Sequence, residues 1–217
     1  INKWKDLFIS NVININNNMK YEELALLIKT PIFSKNDIVL AGGKIYDYQL
    51  TRWVKKGYLL KIKNGIYIFK RDYEKIKGEE IAAAIYQPSY LSLESALSAY
   101  GLIPEIVYSY VSVTGKTNRT FDNKFGHFIY RHLKAELFWG YREVKTSSGR
   151  YLIAEPEKAI LDYLYLNLSK INSESDFENL RFNEDRLCET LNRGKFLQYL
   201  QAFEIKKLKR WANMCLH

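Results

Sequence analysis

The sequence has 217 residues, of which 47% are hydrophobic and 15% aromatic, so it can bury one or two hydrophobic cores. No run of about 18 apolar residues is present to span a bilayer, and the N-terminal part lacks the basic, apolar, small-residue order of a signal peptide. We therefore expect a cytoplasmic protein with no membrane partner. The formal net charge of +9 at pH 7 favours a polyanionic partner.

Cysteine and histidine usage excludes the common metal and disulfide patterns. Cys188 and Cys215 are far apart and lack CxxC spacing, and His127, His132 and His217 form no HExxH or clustered pattern. We expect reduced, structural cysteines, no metal and no cofactor.

The positive charge is concentrated in the N-terminal third. Segment 44–77 contains ten Lys or Arg and three acidic residues, a net +7 of the total +9. Residues 1–77 have 15 basic and 7 acidic side chains, net +8, whereas residues 78–217 have 18 and 17, net +1. Because basic side chains bind a phosphate backbone mainly through counterion release, this asymmetry predicts salt-sensitive binding of nucleic acid by the N-terminal part.

The first predicted elements are a loose N-terminal extension and two short helices. Residues 1–19 form the extension, with an optional helix at 4–9 and an asparagine-rich connector at 11–18. Helix one begins at Tyr21 and ends before Pro31, because the residue preceding a proline avoids the helical region. Helix two has Ser34 as its N-cap, with Asp37 three residues later, and stops at the following glycine pair.

Helix three and a hairpin complete the N-terminal part. The helix is predicted over 48–56 and capped by Asp47, with an apolar side of Leu50, Trp53 and Val54. Alternating runs then flank Asn64-Gly65, a dipeptide suited to a type I′ turn. Three short helices followed by a basic hairpin are typical of a winged helix-turn-helix, in which the third helix enters the major groove and the wing follows phosphates.

This arrangement assigns candidate DNA contacts. Trp53 shares a face with Leu50 and is expected in the core rather than stacked on a base. The candidates for base edges are Gln49, Thr51 and Arg52, and those for phosphates are Lys44, Tyr48, Lys55, Lys56, Lys61 and Lys63.

Residues 78–217 are predicted to form a larger domain. Helices are expected at 79–86 and at 92–100, the second with Ser92 as N-cap and Gly101 as its stop signal. Four β-branched or aromatic runs, at 110–113, 126–130, 138–144 and 151–154, predict a small, mostly antiparallel sheet. Amphipathic helices then follow from Glu155-Pro156, and at 184–192, 195–202 and 205–214.

The predicted fold class is therefore α+β. A winged helix-turn-helix DNA-binding domain spans 20–77, and a larger mixed domain with a small, mostly antiparallel sheet and C-terminal helices spans 78–217.

Two strings of the larger domain resemble a known family. They are YLSLESALSAYGLIPE at 90–105 and AEPEKAILD at 154–162, and with Gly65-Ile66-Tyr67 at the end of the hairpin they resemble the AbiEi antitoxins of type IV toxin-antitoxin and abortive-infection systems. The resemblance extends from residue 20 to about 210.

The resemblance implies a bacterial or phage-defence protein with two roles. The N-terminal winged helix would repress the protein's own operon by binding inverted repeats in double-stranded DNA. Residues 78–217 would counteract a nucleotidyltransferase-like toxin encoded in the same operon, usually without a stable complex. The toxin-related role follows from the resemblance alone.

The two strings also contain charged residues for which packing gives no reason. These are Glu94, Glu105, Glu157, Lys158 and Asp162, which form either a polar functional site or paired surface charges.

Two other classes of protein remain as alternatives. A metal-dependent nuclease would need two carboxylates and a lysine, and Glu105 with Asp122 and Lys124 gives only a weak version because Asp122 is expected in a polar turn rather than on a strand. An RNA-binding module is possible on charge alone, but the order of helices and wing favours a duplex groove. We expect no catalytic residue and no enzymatic activity.

Overall fold

A computed structural model describes residues 19–105 and 108–216. Helices and sheets are both present, which confirms the α+β class. The chain divides into two compact units between Tyr73 and Glu74, whereas the sequence places the boundary after Lys77. We call the unit that ends at Tyr73 unit 1 and the unit that begins at Glu74 unit 2. The predicted extension lies outside the described residues except for Met19.

Unit 1 contains three helices and a three-stranded antiparallel sheet. The predicted helices and both hairpin strands are confirmed, and strand order is β1-β3-β2. The elements are α1 (Tyr21–Leu27), β1 (Ile32–Ser34), α2 (Lys35–Leu40), α3 (Asp47–Lys55), β2 (Leu59–Lys63) and β3 (Ile66–Phe69), followed by a 3₁₀ helix (Lys70–Lys75). Strand β1 was not predicted, because it is only three residues long and pairs with the distant β3.

The start of α2 agrees with its predicted cap, whereas the start of α3 does not. Ser34 Oγ accepts from the Asp37 amide at 3.2 Å, and Asp37 Oδ2 accepts from the Ser34 amide at 2.6 Å. This reciprocal pair is a capping box and confirms Ser34 as the N-cap. The predicted cap of α3 is wrong, because Tyr46 occupies the N-cap position and Asp47 is already in the first turn. The one-residue error reflects how weakly sequence fixes a helix end.

The turn between β2 and β3 differs from the type I′ prediction. That turn requires positive φ at both central residues, but only Gly65 has it, with φ +80°. The strand register also shifts between Lys61 and Lys63. The additional residue on β2 forms a bulge, and glycine tolerates the left-handed conformation beside it.

The core of unit 1 is aromatic and aliphatic. Trp53 is 3% exposed, which confirms its predicted place in the core. The Tyr21 ring meets the Trp53 ring edge-on, with centroids 5.9 Å apart. The main buried side chains are Leu24, Ile28, Phe33, Ile38, Leu50, Trp53, Leu59 and Phe69.

Unit 2 is built on one six-stranded mixed sheet, so the prediction of a small, mostly antiparallel sheet is wrong in size. The strand order is β6-β7-β5-β4-β9-β8, and the β4–β9 and β5–β7 pairs are parallel. The strands are β4 (Ser89–Leu91), β5 (Ser109–Thr114), β6 (Arg119–Asn123), β7 (Gly126–His132), β8 (Tyr141–Lys145) and β9 (Arg150–Ala154). Two of these strands were not predicted, since β4 is short and β6 is polar and lies at the edge of the sheet.

The helices of unit 2 agree with most of the predictions. They are α4 (Gly78–Ile85), α5 (Leu93–Ala99), α6 (Pro156–Asn167), α7 (Glu174–Glu178), α8 (Glu184–Thr190), α9 (Arg193–Gln201) and α10 (Lys206–Met214). Of these seven helices, α7 was not predicted, and neither was the 3₁₀ helix Ala135–Leu137. Helix α6 is the centre of the helical layer, because α5, α9 and α10 all contact it. Among the described helices, none has both the length and the apolar composition needed to cross a bilayer.

Both predicted ends of α5 are confirmed in position, but Ser92 does not cap the helix through its side chain. Gly101 has φ +69° and follows the last turn, where its amide donates to Ser98 O at 3.0 Å. Glycine adopts this conformation without strain, so its role as the stop signal is confirmed. Ser92 occupies the N-cap position, but its side chain makes no capping hydrogen bond. It donates instead to Asp162.

Candidate functional site

The exposed face of α3 displays several of the predicted DNA contacts. Tyr48, Arg52 and Lys55 follow one another at i, i+4 and i+7, so they share one face, with Thr51 beside it. All four are exposed, and Leu50 and Trp53 on the opposite side are buried. Burial of the apolar side therefore fixes which side chains of α3 face solvent.

Gln49 is the exception among the predicted base contacts. It is fully buried, its amide nitrogen donates to Met19 O at 2.8 Å, and its Oε1 accepts from the Tyr46 amide at 3.1 Å. The prediction that Gln49 faces outward is wrong. Its spacing of four residues from Trp53 places both on one side of α3, which was the available sequence signal.

Five exposed cations of unit 1 form what we call the cationic surface. None of them makes an ion pair with another residue of the described ranges, whereas the neighbouring Asp47 is occupied by Lys35 at 2.8 Å. Lys63 is half-buried and is therefore not included. The members of the cationic surface are Lys44, Arg52, Lys55, Lys56 and Lys61. Since no described acid offsets them, their full charge is available to an anion.

Aromatic rings lie beside this surface. Tyr46 and Tyr48 are both exposed and stack with ring centroids 5.8 Å apart and an interplanar angle of 18°. The Lys44 ammonium lies 5.5 Å from the centre of the Tyr46 ring. Tyr46 therefore contacts both Lys44 and the Tyr48 ring at the start of α3.

Unit 2 contains a buried polar network within the two strings singled out from the sequence. The Lys158 ammonium pairs with Asp162 Oδ1, and both side chains have no solvent exposure. Tyr90 and Ser92 each donate to Asp162 Oδ2 at 2.9 Å. Lys158 also donates to Tyr90 Oη at 3.1 Å. Tyr90 and Ser92 lie in one string and Lys158 and Asp162 in the other, so the two strings meet at this point.

Burial controls the protonation of this network. It raises the pKa of Asp162 and lowers the pKa of Lys158, because a charge is costly away from water. Burial and the Asp162 carboxylate also raise the pKa of Tyr90 far above its ordinary value. The Lys158 ammonium additionally lies 5.1 Å from the Trp139 ring centre and 5.5 Å from that of Phe203. These contacts stabilise a charge that burial alone would disfavour.

Glu157 lies in a different environment. It is 3% exposed, and its Oε1 accepts from the Asn192 amide at 3.0 Å. Lys195 Nζ lies 2.9 Å from Glu155 Oε1 but 3.6 Å from Glu157 Oε2, which is beyond hydrogen-bond distance. Burial opposes ionisation of Glu155, yet hydrogen bonds from Tyr199 and Lys195 hold its pKa below the ordinary value.

Glu94 and Glu105 lie elsewhere again. Glu105 is exposed and lies 3.5 Å from the Arg181 guanidinium. Burial, together with the charges of Glu94 and Glu105, raises the pKa of Tyr163, so both carboxylates lie near that ring. Among described residues, no contact joins either one to Lys158 or Asp162. The five predicted polar residues thus occupy three places rather than one site.

The carboxylate arrangement also corrects one argument about nuclease chemistry. Asp122, expected in a polar turn, lies on β6, where its carboxylate is 3.5 Å from His127 Nδ1. Within residues 19–105 and 108–216, no group of three or more His, Cys, Asp or Glu side chains could hold a metal ion. Cys188 is exposed and Cys215 is buried, and both are free thiols.

The chain was compared with known proteins. No protein-family model matches it, and no curated protein matches it either.

Proposed function

We propose that unit 1 is a winged helix-turn-helix that binds double-stranded DNA, with α3 in the major groove and the β2–β3 hairpin along phosphates. The observation that carries the proposal is the cationic surface, which has no acidic partner among the described residues. A phosphate backbone is the polyanion that such clustered charge binds through counterion release.

The side chains of α3 are expected to recognise the bases. Arg52 is exposed in the middle of the outward face and can donate two parallel hydrogen bonds to a guanine. Thr51, the exposed neighbour of Arg52, is the second candidate for a base contact. Gln49 is buried and is no longer a candidate. An Arg52→Ala variant is expected to lose sequence preference, whereas a Lys56→Ala variant should weaken all duplexes alike.

We further propose that the protein represses its own operon and acts as an antitoxin against a nucleotidyltransferase-like toxin encoded beside it. This role rests on the resemblance to the AbiEi antitoxins. The meeting of its two strings around Asp162 supports it, since the residues that carry the resemblance form one packed region of unit 2. The inverted repeats of the protein's own promoter would be the DNA target.

Fluorescence anisotropy tests the DNA-binding proposal. The full chain is titrated into its own upstream DNA and into a scrambled duplex of the same length, over a series of salt concentrations. We expect a preference of at least about a hundredfold for the upstream DNA and a steep salt slope. Equal and weak binding to both duplexes would contradict specific repression, and RNA binding and nuclease activity would then be measured.

Co-expression with the neighbouring toxin tests the antitoxin proposal separately. A full-length variant with Arg52, Lys55 and Lys61 changed to alanine is expected to lose operator binding and still relieve growth arrest. If the folded variant fails to protect the cells, antitoxicity requires the DNA-binding surface and the proposed division of roles is wrong.

A further inference from the structure

We infer that unit 2 contains a binding site for a nucleobase, in a cavity that neither the DNA-binding proposal nor the antitoxin proposal uses. The cavity has a volume of about 620 Å³ and is bordered by β8, β9 and the segment between α4 and β4. This volume lies in the range of about 300–1,000 Å³ that is typical of small-ligand sites. Three features of its lining define the ligand.

The first feature is an aromatic platform. Tyr141 lines the cavity and stacks on Tyr90, with ring centroids 4.7 Å apart and an interplanar angle of 28°. Phe138, also in the lining, packs against both rings at 5.6 Å and 5.1 Å. Tyr90 stacks on Tyr141, Phe138 contacts the same ring at an angle of 58°, and the ring remains 36% exposed, so Tyr141 can stack a planar ligand in the cavity.

The second feature is the rigidity of this platform. Tyr90 is 1% exposed, and its hydroxyl donates to Asp162 and accepts from Lys158. The buried network therefore fixes the ring on which Tyr141 rests. A platform that is already ordered loses little conformational entropy when a ligand stacks on it.

The third feature is the polar lining, which favours a neutral ligand with hydrogen-bond donors. Glu143 and Arg150 form an ion pair at 3.0 Å, so their charges offset each other. One carboxylate oxygen of Glu143 has no hydrogen bond to a described residue, and a carboxylate can only accept. The Gln87 amide nitrogen donates to Ala83 O at 3.0 Å, which leaves its carbonyl oxygen as a second acceptor.

These features together select a base that has an exocyclic amine. Adenine, cytosine and guanine each place an N–H₂ donor at a planar edge, while Arg150 can donate to a ring nitrogen or carbonyl of the same base. Uracil lacks the amine and is the natural discriminating analogue. The same chemistry is offered by a free nucleoside and by an unstacked base of a single strand.

Isothermal titration of the full chain with adenosine, cytidine, guanosine and uridine tests this inference. We expect saturable binding of the three amine-bearing nucleosides. Uridine should bind at least about tenfold more weakly, because it has no exocyclic amine and its N3–H lies between two carbonyl oxygens, which the Glu143 carboxylate repels. Nucleosides lack phosphate, so the cationic surface does not attract them. Nucleoside binding is therefore expected even if unit 1 does not bind DNA. Likewise, a failure to bind nucleosides would leave the DNA-binding proposal intact.

Variants of the lining locate the site. Tyr141→Ala should weaken adenosine binding at least about tenfold, and Tyr141→Phe should preserve it because the ring remains. Tyr108→Ala is the matched control, since Tyr108 is 87% exposed and outside the lining. Glu143→Gln, which leaves the stacked rings in place, should reduce the difference in affinity between adenosine and uridine. This variant tests the site even if Tyr141→Ala does not fold.

Four results would overturn the inference. They are no saturable binding of any nucleoside at millimolar concentration, equal binding of uridine, wild-type affinity in a folded Tyr141→Ala variant, or an equal loss in Tyr108→Ala. A single-stranded oligoadenylate distinguishes the two sources of the base. Binding that is tighter than that of adenosine and depends on Tyr141 identifies a base in a strand, whereas failure of the oligonucleotide to displace adenosine identifies a free nucleoside.

Discussion

Changing Lys55 and Lys61 together to alanine is expected to reduce the salt dependence of DNA binding by a defined amount. Lys55 lies on α3 and Lys61 on β2, both are exposed, and neither forms an ion pair with a described residue. The double variant therefore tests whether the helix and the hairpin contact phosphates at the same time. Each of these lysines is expected to contact one phosphate. Binding of DNA by the double variant should therefore release about two fewer counterions than binding by the wild type.

The expected magnitude follows from the five members of the cationic surface. Each phosphate contact contributes about −0.9 to the slope of log K against log salt, so five contacts give about −4.5 and three give about −2.7. Between 50 mM and 200 mM salt, wild-type affinity should fall about 500-fold and that of the double variant about 40-fold.

Anisotropy titrations at four or more salt concentrations measure both slopes on the same duplex. Lys206→Ala with Lys209→Ala is the matched control, because these lysines are also exposed but belong to α10 in unit 2. The control should keep the wild-type slope. If the Lys55 and Lys61 variant also keeps it, these residues do not contact phosphate and the proposed docking of α3 and the hairpin is wrong.

Three further predictions concern stability. Gln49→Ala should lower the free energy of unfolding of unit 1 by about 1–3 kcal/mol in a denaturant titration, because two buried hydrogen bonds are lost, whereas exposed Thr51→Ala should stay within about 0.5 kcal/mol. Lys158→Met should cost about 3–5 kcal/mol because it strands the buried Asp162 charge, and adding Asp162→Leu should recover most of the loss in the same titration. The folded pKa of Glu155 lies below its ordinary value of 4.5, so its contribution to stability is present above that pH and is lost as the pH falls through the folded pKa. Glu155→Gln should therefore flatten the fall of Tm measured from about pH 5 to pH 3.

Distinct outcomes would contradict these predictions. A Gln49→Ala chain as stable as wild type would mean that solvent replaces both hydrogen bonds. A double variant no more stable than Lys158→Met would show that packing, rather than an uncompensated charge, determines the loss. If Tm falls as steeply with decreasing pH in Glu155→Gln as in wild type, other carboxylates cause the fall.

Local signals in the sequence predicted most elements of unit 1. The Ser34 and Asp37 pair indicated the start of α2, and Asn64-Gly65 indicated the hairpin, because capping and turn formation involve residues only a few positions apart. Strand β1 gave no such signal. It is stabilised by pairing with β3, and pairing between distant strands is not encoded in a short window of sequence.

Burial of polar side chains was the main source of error at the candidate sites. Gln49, Lys158 and Asp162 are all fully buried, although their residue types are usually exposed. Each is satisfied by a partner, and for Asp162 those partners include Tyr90 and Ser92 from a different element. Sequence pattern singled out Lys158 and Asp162 as charges without a packing reason, but only the fold showed that they pair with each other.

The sequence by itself determined the basic charge of the first 77 residues, most helices, the hairpin and the α+β class, since composition, periodicity and caps are properties of neighbouring residues. The tertiary structure decided the mixed order of the six-stranded sheet, the burial of Gln49 and the Lys158–Asp162 pair, and the aromatic platform at Tyr141. These features join residues that are far apart in the chain, and they form only when the free energy of packing offsets the entropy of bringing such segments together.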